Sequence, residues 1–534
     1  MHKSIASSLA ALLVSSQIAY PVAANAQSNG STATPIKHVV VIFGENISFD
    51  HYFGTYPNAL NPKGEPQFHP KQATGAVNGF TEGLLTSNPN YLNSANGAGA
   101  SNPFRLDRSE AATNDQDHNY GPEQQAFHDG LMDSFPEYTG TAGAPPAGVT
   151  TTGLVMGYYD GNTVTALWNL AQRFALNDNS YDTNFGPSTV GAINLISGQT
   201  NGVADNINGT GALVADGNGG YTDNGDADPL GDTCSTTTGE TFSMSGKNIG
   251  DLLNTKGITW GWFEGGFNLQ GGNLTTNPNG STGCGRSHYS AVTLSTKADY
   301  IPHHEPFQYY ASTANPKHLR PSSLAAIGST DQANHQYDID DWYSAVQSGN
   351  LPAVSFLKAS GYQDAHAGYS DPLDEQNFVV TVINWLQQYN QFSDTAVFIA
   401  YDDSDGWYDH QLGQIVNQST TAADALTGPG SCGNGTDIAL AGPGVLHAQG
   451  RCGYGPRLPL MLISPYAKQN YVDHTLTDQT SIIHFIEDNW LQGERIGNGS
   501  FDAISGSVNS MFDWAHPNFT PYILDKNTGL VVSQ

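Results

Sequence analysis

The run Ile36-Lys-His-Val-Val-Val-Ile-Phe43-Gly44-Glu45-Asn46-Ile47-Ser48-Phe49-Asp50-His-Tyr-Phe-Gly54 puts an apolar stretch directly ahead of an acid and an amide. Ile36–Phe43 reads as a buried strand, and Glu45 and Asn46 then stand at its tip, on the sheet edge where α/β proteins bind their ligands. Two adjacent oxygen ligands there can help to hold a hard divalent cation. The plain alternative is a turn in which Glu45 caps and Asn46 takes a left-handed backbone.

Working outward, strand-like and helix-like segments alternate, as a mostly parallel sheet with flanking helices requires. A helix is expected over Thr163–Ala175, where Val164, Leu167, Trp168 and Ala171 share a face. Asn248–Lys256 reads as a helix closed by Gly257 and feeding a strand at Ile258–Phe263. Ala353–Lys358 is strand-like, a helix at Phe378–Tyr389 leads to a strand at Ala396–Tyr401, Leu458–Ser464 is a strand and Ser481–Trp490 a helix. Residues 57–110 and 199–245 are dense in Gly, Asn, Thr and Asp and read as inserts over the sheet edge, without an apolar period to build a core of their own.

The amino terminus has a basic tip, an apolar stretch from Ile5 to Ala19 and Ala24-Asn25-Ala26. This predicts a signal peptide over 1–26, ahead of a single domain over 27–534, and a secreted or periplasmic protein. No later run approaches the roughly 18 apolar residues of a membrane span. Four cysteines favour two local disulfides, Cys234–Cys284 and Cys432–Cys452, and the absence of a Cys-x-x-Cys pair speaks against zinc. With 49 acidic against 19 basic residues the net charge is −30, which disfavours nucleic acid as a partner.

A second apolar strand runs into paired acids at Ala396-Val-Phe-Ile-Ala-Tyr-Asp402-Asp403. Adjacent aspartates at a strand end call for a cation between them, or else form a solvated acidic turn. An EF-hand fails, because placing Gly406 at its sixth position puts Tyr401 and Leu412 where acids are needed. A third segment, Gly186-Pro187-Ser188-Thr189, precedes the helix-like Val190–Ser197. Ser188 is either an ordinary N-cap or a hydroxyl placed where a helix start favours a phosphate anion. Val190 rules out a Gly-x-Ser-x-Gly elbow.

Together with His118 in Asp-His-Asn-Tyr-Gly-Pro, the pair His303-His304 and His366 in Asp-Ala-His-Ala-Gly, these segments resemble, in order, the motifs of the bacterial phosphoesterase family of acid phosphatases and phospholipases C. The likeness runs from about residue 36 to about residue 490. It implies an alkaline-phosphatase-like α/β/α sandwich. Glu45, Asn46, Asp402 and Asp403 would hold one divalent ion, with Ser188 as both ligand and nucleophile. Oxygen ligands favour Ca²⁺, Mg²⁺ or Mn²⁺. Catalysis would pass through a phosphoserine, with His304 and His366 as catalytic groups acting in their protonated form, and His118 and His303 binding substrate. Asp409 and His410 match a motif end of structural character. Ile47 stands where the family usually has Arg, and the chain stops soon after its last helix, where longer phospholipases C continue. The early stop, Asp403 in place of a common Glu and the paired histidines favour an acid phosphatase acting on small phosphate esters, while Ile47 bears on substrate preference without favouring either. The alternative is a phospholipase C acting on phospholipid head groups.

Overall fold

The computed structural model describes residues 30–140, 153–269, 283–434 and 447–533; the expected signal peptide lies outside them. The central sheet has eight strands: β1 (His38–Gly44), β2 (Ala175–Asn177), β3 (Trp260–Glu264), β4 (Gln336–Asp338), β5 (Val354–Lys358), β6 (Thr395–Tyr401), β7 (Leu460–Ile463) and β8 (Tyr471–Asp473). Their spatial order is β4-β3-β5-β1-β6-β7-β2-β8. All neighbours pair in parallel except at β7, which runs against both β6 and β2.

Every residue of β1 and β6 is buried, so both faces of the sheet are covered. Among the helices are α1 (Phe49–Phe53), α2 (Tyr120–Phe127), α3 (Thr165–Arg173), α4 (Ser188–Ser197), α5 (Ile249–Lys256), α6 (Ile339–Ser348), α7 (Pro372–Leu386) and α8 (Ser481–Trp490). α3 packs on α7, and α4 packs on both α5 and α8, giving the two helix layers of an α/β/α sandwich. Local chemistry frames several of them. Asn248 and Asp251 form a reciprocal capping box at the start of α5, and Gly257, with φ 65°, closes it in the left-handed region.

Some boundaries differ from the sequence reading. The helix expected to reach Ala175 stops at Arg173, because Ala175 already pairs in β2. α7 begins at Pro372, six residues before Phe378, where Asp371 caps it. The insert 199–245 is more ordered than expected. It forms a small sheet of Val203–Ile207, Thr241–Met244 and Asp228–Pro229, yet its buried Phe242 and Leu213 join the main core. Both expected disulfides are present. Among the described residues no helix is long and apolar enough to cross a membrane.

Buried carboxyls in this core set the expected pH dependence of stability. Glu375 on α7 is 3% exposed and accepts hydrogen bonds from Tyr401 at 2.6 Å and Tyr52 at 3.0 Å. Burial pushes its pKa up to about 7, against the opposing pull of the two hydroxyls. An unfolded Glu titrates near about 4.3, so the folded state holds the proton longer. The associated stabilisation is complete below that value and is lost as pH rises through about 7. Asp478, pushed by burial to about 7, and Glu264, to about 8, have the same sign. Thermal unfolding is therefore expected at a higher temperature at pH 5 than at pH 8. Glu375→Gln should flatten that slope by up to about 3 kcal/mol, making the variant the more stable protein at pH 8. An unchanged slope in the variant would reject this assignment.

Candidate active site

Parallel register assembles the site. Gly44 pairs with Tyr401, so the two segments that leave β1 and β6 start side by side. Glu45-Asn46 and Asp402-Asp403 meet there, with Asn46 N donating to Asp402 Oδ1 at 3.0 Å and Ile47 N donating to Asp403 O at 2.8 Å. Asn46 takes a left-handed backbone (φ 53°), as its turn reading required, and so does Asp405 (φ 55°). The two side chains face each other, Asn46 Nδ2 donating to Asp405 Oδ1 at 3.3 Å. Left-handed non-glycine residues of this kind tend to mark functional turns.

Ser188 opens α4, with Pro187 rather than the serine as the N-cap. Its hydroxyl makes no cap; it lies 3.1 Å from Glu45 Oε2, 3.1 Å from Asp403 Oδ2 and 3.5 Å from Asn46 Oδ1. α4 can press this closely because Gly191 lacks a side chain: a Cβ there would lie 1.9 Å from the Asp402 carbonyl oxygen.

One hydroxyl donates one hydrogen bond at a time, yet three oxygens converge on it. Asp402 Oδ2, on a side chain with no exposure, has no hydrogen-bond partner, and its nearest cation is Lys358 Nζ at 3.8 Å. Such a cage of oxygen donors with an orphaned buried carboxylate oxygen fits a hard divalent cation. Burial and the neighbouring Asp402 push the Glu45 carboxyl well up, against the pull of Lys358. Burial does the same for Asp403, which His118 partly offsets.

The four histidines form two ring pairs, one beside Glu45 and one beside Asn46. His304 Nδ1 lies 3.3 Å from Glu45 Oε1, and its ring meets that of His303 at 4.6 Å. His303 Nδ1 lies 3.5 Å from Asp228. In the second pair His118 Nε2 is 3.4 Å from Asn46 Nδ2, and its ring stands 5.6 Å from that of His366. The protonation expected from sequence is corrected here. Burial, reinforced by Lys358 and His303, holds His304 well below the usual imidazole range. Burial and the neighbouring His118 do the same to His366. His118 is the cationic one: burial would lower it, but Asp403, Asp405 and Asp115 together hold it well above.

Several functional neighbours escaped the sequence reading. Lys358 ends the fully buried β5, and its ammonium contacts Glu45 Oε1. A charged residue closing an otherwise uniformly buried strand was the signal for it. Asp115, His118, His366 and Asp405 form a second group whose potential ligand atoms all lie within 4.8 Å of one another. Asp50, Asp409 and His410 also cluster, but Arg457 pairs with both aspartates at 3.0 Å. A third cluster contains Cys234, which is committed to its disulfide.

A parallel-sheet edge bearing a hydroxyl inside a carboxylate cage defines an α/β protein with a candidate metal-assisted centre. The chain belongs to the Phosphoesterase family, whose model matches residues 36–491. Among curated proteins it is similar to a non-hemolytic phospholipase C of Pseudomonas aeruginosa, 23% identical over 97% of this chain and 63% of the relative. It is also similar to a non-hemolytic phospholipase C of Burkholderia pseudomallei, 24% identical over 91% of this chain and 60% of the relative. A third relative is phospholipase C A of Mycobacterium tuberculosis, 23% identical over 91% of this chain and 78% of the relative. The chain thus spans under two thirds of the length of the first two. Among solved structures, a murine ectonucleotide pyrophosphatase/phosphodiesterase 5 is 10% identical, covering 66% of this chain and 95% of its own at a TM-score of 0.30. An alkaline phosphatase superfamily protein of Vibrio parahaemolyticus is 11% identical, covering 84% and 91% at 0.26. Likenesses that low add nothing to the topology described above.

Proposed function

We propose that this chain is a phosphoric ester hydrolase of phospholipase C type, cleaving the phosphodiester of a lipid head group at Ser188. The observation that carries the hydrolase reading is the Ser188 hydroxyl, 3.1 Å from two carboxylates in a buried cage. The substrate reading rests on the named relatives, all phospholipases C, and it replaces the acid phosphatase preferred from sequence. Two disulfides support an oxidising compartment outside the cytoplasm, and one folded domain after residue 26 remains part of this reading.

Glu45, Asn46, Asp402 and Asp403, with Ser188, would hold one divalent ion. Bound there, such an ion supplies positive charge to the phosphoryl oxygens and lowers the pKa of the serine hydroxyl. Ser188 passes its proton to a carboxylate 3.1 Å away, and Oγ attacks phosphorus as the bond to the leaving alcohol breaks. His118, held protonated by its carboxylate neighbours, donates a proton to that alcohol. The neutral His304 and His366 offer N–H donors to the phosphoryl oxygens. Water then hydrolyses the phosphoserine, restoring the hydroxyl.

Side-by-side kcat/KM values on nitrophenyl phosphate and nitrophenylphosphorylcholine, with Mg²⁺, Ca²⁺ or Mn²⁺ supplied, test the reading. A preference for the diester of at least about tenfold is expected, a discrimination of the size that one well-placed contact provides. The reverse preference returns the assignment to a monoesterase. Turnover of neither ester, with any of the three ions, removes the hydrolase reading.

A further inference from the structure

Resting on the reading that the carboxylate cage holds one divalent ion, we propose that Lys358 is a positioning residue of that cage, a built-in counter-ion that fixes which Glu45 oxygen faces Ser188 and sets the ionic charge the cage prefers. Glu45 is fully buried and its two oxygens look in different directions. Oε2 faces the Ser188 hydroxyl at 3.1 Å, while Oε1 is taken by the Lys358 ammonium and by His304 Nδ1 at 3.3 Å. Free to rotate, a carboxylate can offer a cation both oxygens; held by an ammonium, it offers one.

The ammonium is itself fixed. Lys358 is 1% exposed, its Nζ stands 5.2 Å from the centre of the Phe43 ring, and the parallel pairing of Leu357 with Ile42 places it at the same sheet edge as Glu45. It also stands 3.8 Å from Asp402 Oδ2, the carboxylate oxygen without a hydrogen-bond partner. Asp405, the next acid along, faces His118 and Asn46 instead.

The charge count follows. With an ion bound and the cage carboxylates ionised, Glu45, Asp402 and Asp403 would bring three negative charges and Lys358 one positive, while His118 is paired with Asp405. The two left over match a divalent ion. A trivalent ion would meet the same ammonium with one more unit of repulsion, in surroundings where water screens little. Removing the ammonium leaves three charges uncompensated and should turn the preference toward the trivalent ion.

The test is calorimetric titration of the chelator-stripped full chain with Mn²⁺ and with Tb³⁺, so that no activity is read. Wild type should bind one equivalent of Mn²⁺. Lys358→Met should move the ratio of Tb³⁺ to Mn²⁺ affinity toward Tb³⁺ by at least about tenfold. A ratio within about twofold of wild type, with metal still bound, overturns the proposal. If Lys358→Met does not fold when stripped of metal, it is refolded with each ion and the thermal shift is measured. Rescue by Tb³⁺ and not by Mn²⁺ is then expected; equal rescue, or none, overturns it. Wild type that binds neither ion fails differently, because it removes the metal reading on which this inference rests.

Discussion

Ser188→Ala should leave the protein folded and lower kcat on any phosphoric ester by at least about three orders of magnitude. The serine hydroxyl is buried among oxygen atoms that cannot all accept its single proton, so its placement serves something other than a local hydrogen bond. Nor does it cap α4, where Pro187 takes that position. Truncation removes a polar atom from a crowded anionic cage, so the melting temperature should stay near that of wild type. Thr189→Ala is the control. Its neighbourhood is set by the backbone, with Thr189 N donating to Asp226 at 3.0 Å, and most activity should survive. Loss in the threonine variant with retention in the alanine variant of Ser188 would move the nucleophile.

The second large effect is on stability. Arg457 is fully buried, and its guanidinium reaches Asp50 Oδ1 at 3.0 Å and Asp409 Oδ2 at 3.0 and 3.1 Å. It also donates to the carbonyl oxygens of Asn78 at 2.7 Å and Asp178 at 3.1 Å. One side chain thus ties the segment after Glu45-Asn46, the segment after Asp402-Asp403 and the approach to Ser188. Burial would raise Asp50, but His410 and Arg457 outweigh it and hold the carboxyl below its ordinary range. Arg457→Met would leave two buried carboxylates without their shared cation, and should cost about 3–5 kcal/mol in denaturant unfolding. Arg457→Lys keeps the charge and loses the fork, and should fall between. A loss below about 1 kcal/mol for the methionine variant would place this network among ion pairs of negligible net worth.

Much of this was legible along the chain. Ser481–Trp490 is a helix with the bounds read from sequence, and β1, β5 and β6 fall within a residue or two of theirs, because their apolar runs are long and unbroken. The acids and the serine were legible because each lies next to a strong local signal. What failed depends on partners remote in sequence. β2 is three residues long, and β7 gives no sign in its composition that it runs antiparallel. α6 is not among the expected helices, although Asp338 caps it with Asp341 in a capping box and Gly349 closes it, a frame present in the sequence. The protonation of His304 and His366 was not legible, because it depends on how deeply each ring is buried and which neighbours it faces: burial aided by Lys358 lowers His304, whereas three aspartates hold His118 up. Only the assembled register supplies those neighbours.

That register also determines when the centre can exist. Asn46 and Asp402 are 356 positions apart and become neighbours only once β1 has paired with β6. Contacts of such long range carry a loop-closure entropy that local contacts do not. Only a fragment spanning residues 45 to 403 contains the whole cage, and an intermediate lacking that one strand pairing has its two halves apart. If the proposed ion binds there, its uptake by a refolding chain would time the β1–β6 pairing, at a rate set by folding and independent of the concentration of the ion.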